Sequence, residues 1–272
     1  MAYNPKLKYP ITSDGFAECL NSDNPTKILE YMQIYNIVVI DALSQEECEI
    51  SINQAWEEMN LHGNGKLDKT DPTTWINENW PLPNHIYLSD HPTSTYQSLK
   101  NMVNSNIVKT FEILFEHKNI CPDVGIISIK RPVIVNGTHM PDCGYDIGSF
   151  ACVPGSANAV KSNPNLWLNV DQGKYIQTGK ESGFLHSNIQ KIPLKAGSMV
   201  IWDRSVAHAN FTNNSDKPRI THFFTYVEAT TAAMALNKKN IITYCKENPK
   251  FLAELKKYNW ANKEKQLFGI KI

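Results

Sequence analysis

A histidine and an arginine stand at a fixed spacing in the stretch SMVIWDRSVAHANFTNNSDKPRI, residues 198–220. His208 and Arg219 are separated by ten residues, and each stands at the start of a strand-like segment. A neutral imidazole is a common metal ligand, and the planar guanidinium of arginine can hold a carboxylate through two parallel hydrogen bonds. Taken alone, His208 could be a hydrogen-bonded loop histidine, and Arg219 by itself would be read as a surface arginine that pairs with Asp216.

The strand that follows the arginine places a second polar group beside it. Side chains alternate between the two faces of a strand, so Arg219 and Thr221 share one face while His222 lies on the other. We therefore expect the Thr221 hydroxyl to be a second donor to the same carboxylate. His222 is expected to be structural.

Elements that could position these residues begin near the N-terminus. Pro25 suits the first turn of a helix, and the apolar run IVVID at 37–41 predicts a short buried strand. Ser44 and Glu47 have the spacing of a capping box at the start of the next helix. The apolar stripe expected on that helix comprises Cys48, Ile52, Ala55, Trp56 and Met59.

Residues 61–98 form a long stretch rich in Gly, Pro, Asn and Asp, with two tryptophans. Long loops are often lids or binding elements. The alternative is an irregular surface excursion pinned by Trp75 and Trp80. A helix is predicted to follow over 95–117.

Between residues 124 and 228 the sequence pattern becomes one of short strands separated by Gly- and Pro-containing turns. The strand candidates are 124–135, 149–156, 166–170, 189–194, 198–203 and 220–228. No helical pattern interrupts them, which favours an antiparallel sandwich or jelly roll over a parallel α/β sheet. Helical patterns return after residue 229, and we expect those helices to pack on an outer face of a single domain spanning 1–272.

Composition excludes several classes of protein. The 272 residues contain 27 basic and 27 acidic side chains, so no basic stripe argues for nucleic acid. No window approaches 18 apolar residues, so no membrane span is expected, and the N-terminal residues lack the apolar region of a secretory signal. The six cysteines form no Cys-x-x-Cys pair and are expected to be reduced thiols, which predicts a cytoplasmic location.

The segment at 192–226 resembles the end of the jelly-roll core in the phytanoyl-CoA dioxygenase-like family of Fe(II)- and 2-oxoglutarate-dependent oxygenases. The matching features are the turn Ala196-Gly197, the run ending at Trp202-Asp203, His208, Asn213 or Asn214, and Pro218-Arg219. The segment GSFACVPGSANAV at 148–160 resembles a family segment of the form Gly-Gly…Val-Pro-Gly-Ser-His, although Ser149 and Ala157 depart from it. Residues 35–59 resemble the family's N-terminal strand and helix.

This resemblance implies an α+β fold with a double-stranded β-helix (jelly-roll) core over about 124–228. An N-terminal helical and lid region at 13–123 and C-terminal helices at 229–272 would pack outside it. It also implies a dioxygenase that uses Fe(II), 2-oxoglutarate and dioxygen to hydroxylate a small organic substrate. His208 would be an iron ligand, and Arg219 with Thr221 would hold the far carboxylate of 2-oxoglutarate, with no catalytic residues beyond the metal ligands.

Iron in such enzymes takes two histidines and one carboxylate, yet the chain contains no His-x-Asp tripeptide. His139 and Asp142 compete for the two remaining positions with a segment that carries Asn169 where the family has histidine. Chain order and ligand chemistry favour His139 and Asp142. Residues i and i+3 of a regular strand face opposite ways, but Pro141 favours a bulge that would bring the carboxylate back. The ligand atoms of His139, Asp142 and His208 are then expected within about 4–5 Å of one another.

Two other functions remain open from the sequence. The chain could be a catalytically inactive jelly-roll relative that acts as a binding or scaffold protein. It could also be a carbohydrate-binding or capsid-like module that uses the aromatic side chains of Trp75, Trp80, Tyr87 and Tyr96.

Overall fold

The computed structural model describes residues 4, 6–81, 96–132, 134–135, 138–139, 150–162, 187–210, 213, 216–247, 249 and 253. These residues combine helices with antiparallel strand pairs, so the predicted α+β class is confirmed. They divide into two compact units, which are described separately below. The first unit comprises Met1–Ala42 and Gly148–Thr212, and the second comprises Leu43–Ile147 and Asn213–Ile272. The assignment of 1–272 to one domain stays a prediction.

The helices and strands have the following bounds. The helices are α1 (Pro25–Tyr35), α2 (Gln45–His62), α3 (Tyr96–Met102), α4 (Ser105–Phe115), α5 (Ser156–Ser162) and α6 (Thr231–Glu247). The strands are β1 (Ile37–Asp41), β2 (Ile120–Lys130), β3 (Ile134–Val135), β4 (Thr138–His139), β5 (Phe150–Cys152), β6 (Gln190–Lys191), β7 (Ser198–Trp202), β8 (His208–Asn210) and β9 (Arg219–Glu228).

Each unit contains antiparallel strand pairs, and all of them except β3–β4 join distant parts of the chain. In the first unit β1 pairs with β7, and β5 lies between β6 and β8. In the second unit β2 pairs with β9, and β3 pairs with β4. The strands that begin at His208 and at Arg219 therefore belong to different sheets.

Local sequence signals predicted the N-terminal elements correctly. Helix α1 begins at Pro25, and β1 covers the predicted run 37–41 with its first four residues buried. The Ser44 hydroxyl accepts from the Glu47 amide, and the Glu47 carboxylate accepts from the Ser44 amide, which completes the capping box of α2. These elements form where expected because their signals act over a few residues.

Three features of the helices differ from the predictions. The apolar stripe of α2 is narrower than expected, because Ile52 remains 38% exposed. The helix predicted over 95–117 is two helices, since the Asn104 side chain caps α4 after α3 has ended. The expectation that no helix interrupts the strand zone was wrong, because α5 follows β5. The strand candidate at 166–170 lies outside the described residues.

A tryptophan cluster fixes the first part of the long loop. Trp75 and Trp80 are 4% and 6% exposed, and their ring centroids lie 5.7 and 6.2 Å from that of Trp56 on α2. Both join the apolar core that Ile127 and Ile129 of β2 complete. Residues 61–81 are therefore an excursion held in place by two buried tryptophans, as the second of the two interpretations proposed. Because Trp75 and Trp80 are buried, their rings cannot stack on a sugar. Tyr87 and the side chain of Tyr96 lie outside the described part of the chain.

The C-terminal helix expected after residue 229 is present as α6. Its apolar residues Leu236 and Ile242 are 51% and 42% exposed. Across the described residues, no helix combines the length and the hydropathy needed to cross a bilayer.

Candidate functional site

Four polar residues share one face of the β2–β9 pair in the second unit. Lys130 lies directly opposite Arg219, and Ser128 lies directly opposite Thr221. Cross-strand partners point to the same side of a sheet, and so do residues two positions apart on one strand. We call these four residues the arginine face.

Burial and charge make the arginine face complementary to an anion. Lys130 is only 3% exposed, and Ser128 is fully buried. Burial lowers the pKa of Arg219, while burial and the charge of Arg219 lower the pKa of Lys130 to about 8. The Thr221 hydroxyl is buried and has no hydrogen-bond partner in the described part of the chain. Because an unsatisfied buried hydroxyl is costly, it fits a site that is completed by a ligand's acceptor atom.

The opposite face of the same strands belongs to the core. Ile127, Ile129 and Ile220 pack with the tryptophan cluster. Arg131 donates to the Trp75 carbonyl oxygen at 2.9 Å and lies 5.2 Å above the Trp80 ring centroid. This apolar packing fixes the register of the strands, and so turns Lys130 and Arg219 to the other side.

Asn213 ties the loop before β9 to the end of β2. Its side-chain amide, on a residue 5% exposed, donates to the carbonyl oxygens of Lys130 at 3.1 Å and Lys217 at 2.9 Å. Since Arg219 follows two residues after Lys217, these bonds help to set where β9 begins. Asn213 is one of the two asparagines singled out in the sequence.

His208 is the first residue of β8 in the first unit, and it is exposed. Its Nδ1 lies 2.9 Å from the Val206 carbonyl oxygen. A carbonyl oxygen can only accept, so Nδ1 carries a proton, and in the neutral tautomer this leaves the lone pair on Nε2. A backbone carbonyl that fixes the tautomer in this way is the usual outer partner of a metal-binding histidine. The ring centroids of Trp202 and Phe150 lie 5.4 and 6.0 Å away.

The turn before His208 is built on Asp203. The Ser205 amide donates to the Asp203 carboxylate at 2.8 Å, and the Lys161 ammonium lies 2.6 Å from the same side chain. Burial acts to raise the pKa of Asp203, but these hydrogen bonds outweigh it and hold the pKa below its usual value. The carboxylate therefore has a structural role in shaping the turn.

The Val-Pro-Gly-Ser segment packs directly against the strand of His208. Cys152 pairs with His208, and the Val153 amide donates to the Ala207 carbonyl oxygen at 2.9 Å. The fully buried Ser156 accepts from the Ala207 amide at 2.9 Å. The two sequence segments that resembled one family therefore meet in the first unit.

Comparison with known proteins shows that part of the chain is similar to one family. Residues 130–221 match the family model described as phytanoyl-CoA dioxygenase (PhyH). The similarity to that family covers this segment and not the whole chain. No curated protein matches the sequence. The PhyH segment contains every residue of the arginine face except Ser128, and it contains His208.

Solved structures provide a second comparison. The crystal structure of EvdMO1 superposes with a TM-score of 0.51 at 12% identity, covering 76% of this chain and 50% of EvdMO1, so the chain spans about half the length of that protein. EctD from S. alaskensis with bound Fe gives a TM-score of 0.49 at 13% identity, covering 83% and 82% of the two chains. SnoK, a non-heme alpha ketoglutarate dependent carbocyclase from nogalamycin biosynthesis, gives 0.44 at 14% identity, covering 78% and 88%. The likeness to EvdMO1 concerns the fold.

The residues expected to complete an iron site lie at the limit of the described chain. His139 ends β4, and its backbone pairs with Ile134, but its side chain is outside the description. Asp142 and the competing Asn169 also lie outside the described residues. Over the residues that are described, no three His, Cys, Asp or Glu side chains form a metal-binding group. The convergence of His139, Asp142 and His208 stays a prediction.

Sequence reasoning missed two residues of these sites. Lys130 lies within the predicted strand 124–135 and gave no motif, because its relation to Arg219 exists only through the pairing of β2 with β9. The contact that Ser156 makes with the strand of His208 was also missed, although the Val-Pro-Gly-Ser segment was recognised. No local signal could have revealed either contact, since the partners are far apart along the chain.

Replacement of Gly155 by alanine is expected to destabilise the protein more than replacement of Gly15. Both glycines have positive φ, +77° and +83°, so each alanine variant bears a conformational cost of about 1–2 kcal/mol. A Cβ at Gly155 would lie 2.8 Å from Leu7 Cδ2 and 3.2 Å from the Ile34 carbonyl oxygen, whereas Gly15 has open space. Urea unfolding of both variants measures the difference, and equal losses would contradict this account of the turn.

His222 is expected to make the fold sensitive to acid. Both ring nitrogens are buried without a hydrogen-bond partner in the described chain, and burial lowers the pKa to about 4. Because the unfolded histidine binds its proton near pH 6.5, stability from this residue is complete above pH 6.5 and is lost as pH falls toward 4. The difference amounts to roughly 3 kcal/mol at most.

Measurement of the free energy of unfolding between pH 7 and 4 tests this expectation. His222→Leu should reduce the loss of unfolding free energy on acidification. The control His62→Leu, at an exposed histidine, should leave that pH dependence unchanged. Parallel curves for the wild type and His222→Leu would show that His222 does not titrate in this way.

Proposed function

We propose that the chain is an Fe(II)- and 2-oxoglutarate-dependent dioxygenase that hydroxylates a small organic substrate, built on a jelly-roll core. The arginine face carries this proposal, because it places a partly buried guanidinium beside a buried hydroxyl that has no hydrogen-bond partner among the described residues. The match of residues 130–221 to the phytanoyl-CoA dioxygenase family supports it.

In this proposal Arg219 and Thr221 hold the far carboxylate of 2-oxoglutarate. The guanidinium offers two parallel N–H donors to the carboxylate oxygens, and the Thr221 hydroxyl donates a further hydrogen bond. Binding would give that hydroxyl the partner it lacks in the described chain. The Thr221 hydroxyl, unpartnered among the described residues, is an observation on this chain itself, and it supports the fit of the residues present to the diacid.

His208 would hold iron together with His139 and Asp142. The bond from His208 Nδ1 to the Val206 carbonyl oxygen orients the ring and leaves Nε2 for the metal. Fe(II) and 2-oxoglutarate, when bound, supply the activation of dioxygen that oxidises a substrate C–H bond. The chain's own residues bind and orient these groups.

Iron content and succinate production test the proposed function together. Protein that is reconstituted with Fe(II) in the absence of oxygen should bind about one iron per chain. It should then form succinate from 2-oxoglutarate in air, more rapidly when a mixture of small metabolites contains the substrate. Protein that binds no iron and forms no succinate would overturn the proposal in favour of an inactive relative that serves as a binding or scaffold protein.

A further inference from the structure

Two hydrogen bonds in the first unit end on the same peptide group, the one that joins Val206 to Ala207. Its carbonyl oxygen lies 2.9 Å from His208 Nδ1, and its N–H donates to the Ser156 hydroxyl at 2.9 Å. A peptide group is planar, so its N–H and C=O turn together as one rigid body, and in the trans form they point in opposite directions. The Ser156 hydroxyl and the His208 ring therefore hold the two edges of one planar group.

We infer that Ser156 is a positioning residue for His208. By accepting the hydrogen bond from the Ala207 amide, its hydroxyl fixes the orientation of the Val206 carbonyl. This carbonyl in turn selects the Nδ1–H tautomer and the orientation of the His208 ring. The inference rests on the proposed function and deepens it, because it concerns the histidine that would hold iron. Ser156 acts through the main chain rather than by contact with metal or substrate.

The peptide groups on either side of this one are held by the main chain. The Val206 amide donates to the Asp203 carbonyl oxygen, and the Ala207 carbonyl oxygen accepts from the Val153 amide, each at 2.9 Å. The central peptide differs, because a side chain binds its N–H and the imidazole that it orients binds its C=O. Among the described residues, Ser156 is the partner that holds this peptide independently of the imidazole.

The course of the chain explains why a hydroxyl is needed at Ser156. The pairing of Cys152 with His208 places Val153 opposite Ala207, and a regular antiparallel pair exchanges two main-chain hydrogen bonds at such a position. The Val153 carbonyl oxygen instead accepts from the Ser156 amide at 3.1 Å. The Ala207 amide therefore lacks that partner in the ladder, and the fully buried Ser156 side chain replaces it.

Loss of the Ser156 hydroxyl has a direct consequence for the ring. The buried Ala207 N–H would have no acceptor, and an unsatisfied buried amide is costly. Rotation of the peptide toward another acceptor would relieve this cost, but it would turn the Val206 carbonyl away from His208 Nδ1. The carbonyl would also become a weaker acceptor, because hydrogen bonds that follow one another in a chain polarise each other.

Nitrogen NMR of the metal-free protein tests the inference without iron. Spectra of protein with nitrogen-15 in its histidines distinguish Nδ1–H from Nε2–H in a neutral ring, and His208→Gln identifies the His208 signals. At a pH of about 8.5, where an ordinary histidine is neutral, the wild type should show Nδ1–H as the main tautomer of His208. Ser156→Ala should shift the population toward Nε2–H. A wild-type protein with Nε2–H as the main tautomer would overturn the inference.

Titration with Fe(II) in the absence of oxygen measures the effect on metal binding. Loss of an outer partner of a metal-binding histidine typically lowers metal affinity 10–100-fold, and Ser156 acts one hydrogen bond further out, so Ser156→Ala should bind Fe(II) about tenfold more weakly. Ser156→Thr keeps a hydroxyl and should restore the Nδ1–H tautomer. The matched control is Ser162→Ala, which removes an exposed hydroxyl that donates to the Asn158 carbonyl oxygen at the other end of α5. It should change neither the tautomer nor the affinity.

A purely structural role for Ser156 predicts a different result. It would lower the stability of Ser156→Ala but leave the tautomer and the Fe(II) affinity of the folded variant at their wild-type values, and that outcome would overturn the inference. Circular dichroism checks the fold. If Ser156→Ala does not fold, Ser156→Cys takes its place, because a thiol fills a similar volume and is a weak acceptor.

The two measurements also separate this inference from the proposed function. A shifted tautomer with unchanged Fe(II) affinity would uphold the positioning of the ring and overturn its consequence for iron. A wild-type protein that binds no Fe(II) would overturn the proposed function, whereas the tautomers of the metal-free proteins would still decide the role of Ser156.

Discussion

Arg219→Ala is expected to abolish binding of 2-oxoglutarate while the protein remains folded. The guanidinium is partly buried, and Arg219 shares its face with Thr221 rather than with the apolar core. Loss of a charged, hydrogen-bonded pair from such a site costs on the order of 2–5 kcal/mol, or roughly 30-fold or more in affinity. Calorimetric titration with 2-oxoglutarate measures the change, and circular dichroism checks the fold.

Two further variants make this result specific. Arg219→Lys should restore affinity only in part, because an ammonium cannot reproduce two parallel hydrogen bonds to one carboxylate. Arg204→Ala removes an exposed arginine of the turn before His208 and should leave the affinity unchanged. Unaltered binding by Arg219→Ala would show that another group holds the far carboxylate, and the role given to the arginine face would be wrong.

His208→Ala should lose iron and all succinate production without losing the fold. The side chain is exposed, and its hydrogen bond to Val206 is local, so its removal leaves little of the core disturbed. Loss of one of three protein ligands leaves too few donors for a stable facial iron site. Metal analysis after reconstitution with Fe(II) should therefore fall from about one iron per chain to near zero. His62→Ala, an exposed histidine on α2, should keep its iron.

The same measurement decides between the two candidate ligand segments. His139→Ala and Asp142→Ala should each behave like His208→Ala, whereas Asn169→Ala should retain iron, since a neutral amide oxygen is a poor ligand for Fe(II). Retention of iron by His139→Ala would remove this pair from the site. Iron loss in Asn169→Ala instead would transfer the role to the later segment.

Features that depend on residues close together in the chain could be predicted from the sequence. The capping box of α2 and the strand at 37–41 formed as expected, because each signal is complete within a few residues. The sharing of one face by Arg219 and Thr221 follows from strand alternation alone. His208 and Arg219 each begin a strand, as their resemblance to family positions implied.

Other predictions failed where a helix cap or packing overrides the apolar pattern. The continuous helical pattern at 95–117 is interrupted because the Asn104 side chain accepts a hydrogen bond from the Asn106 amide and so begins a second helix, α4. A stretch that looked like uninterrupted strands contains α5. The tryptophans of the long loop looked suited to binding, yet the core around Trp56 buries them.

The sequence by itself determined the local elements, the family resemblance of the segment around His208 and Arg219, and the pairing of a guanidinium with a hydroxyl on one strand face. Only the tertiary structure placed Lys130 opposite Arg219 and Ser156 against the strand of His208. The physical reason is strand register. Apolar packing of Ile127, Ile129 and Ile220 on the tryptophan cluster fixes how β2 lies against β9, and a shift of one residue would turn Lys130 into the core. That register is a property of contacts between distant segments, which no local pattern encodes.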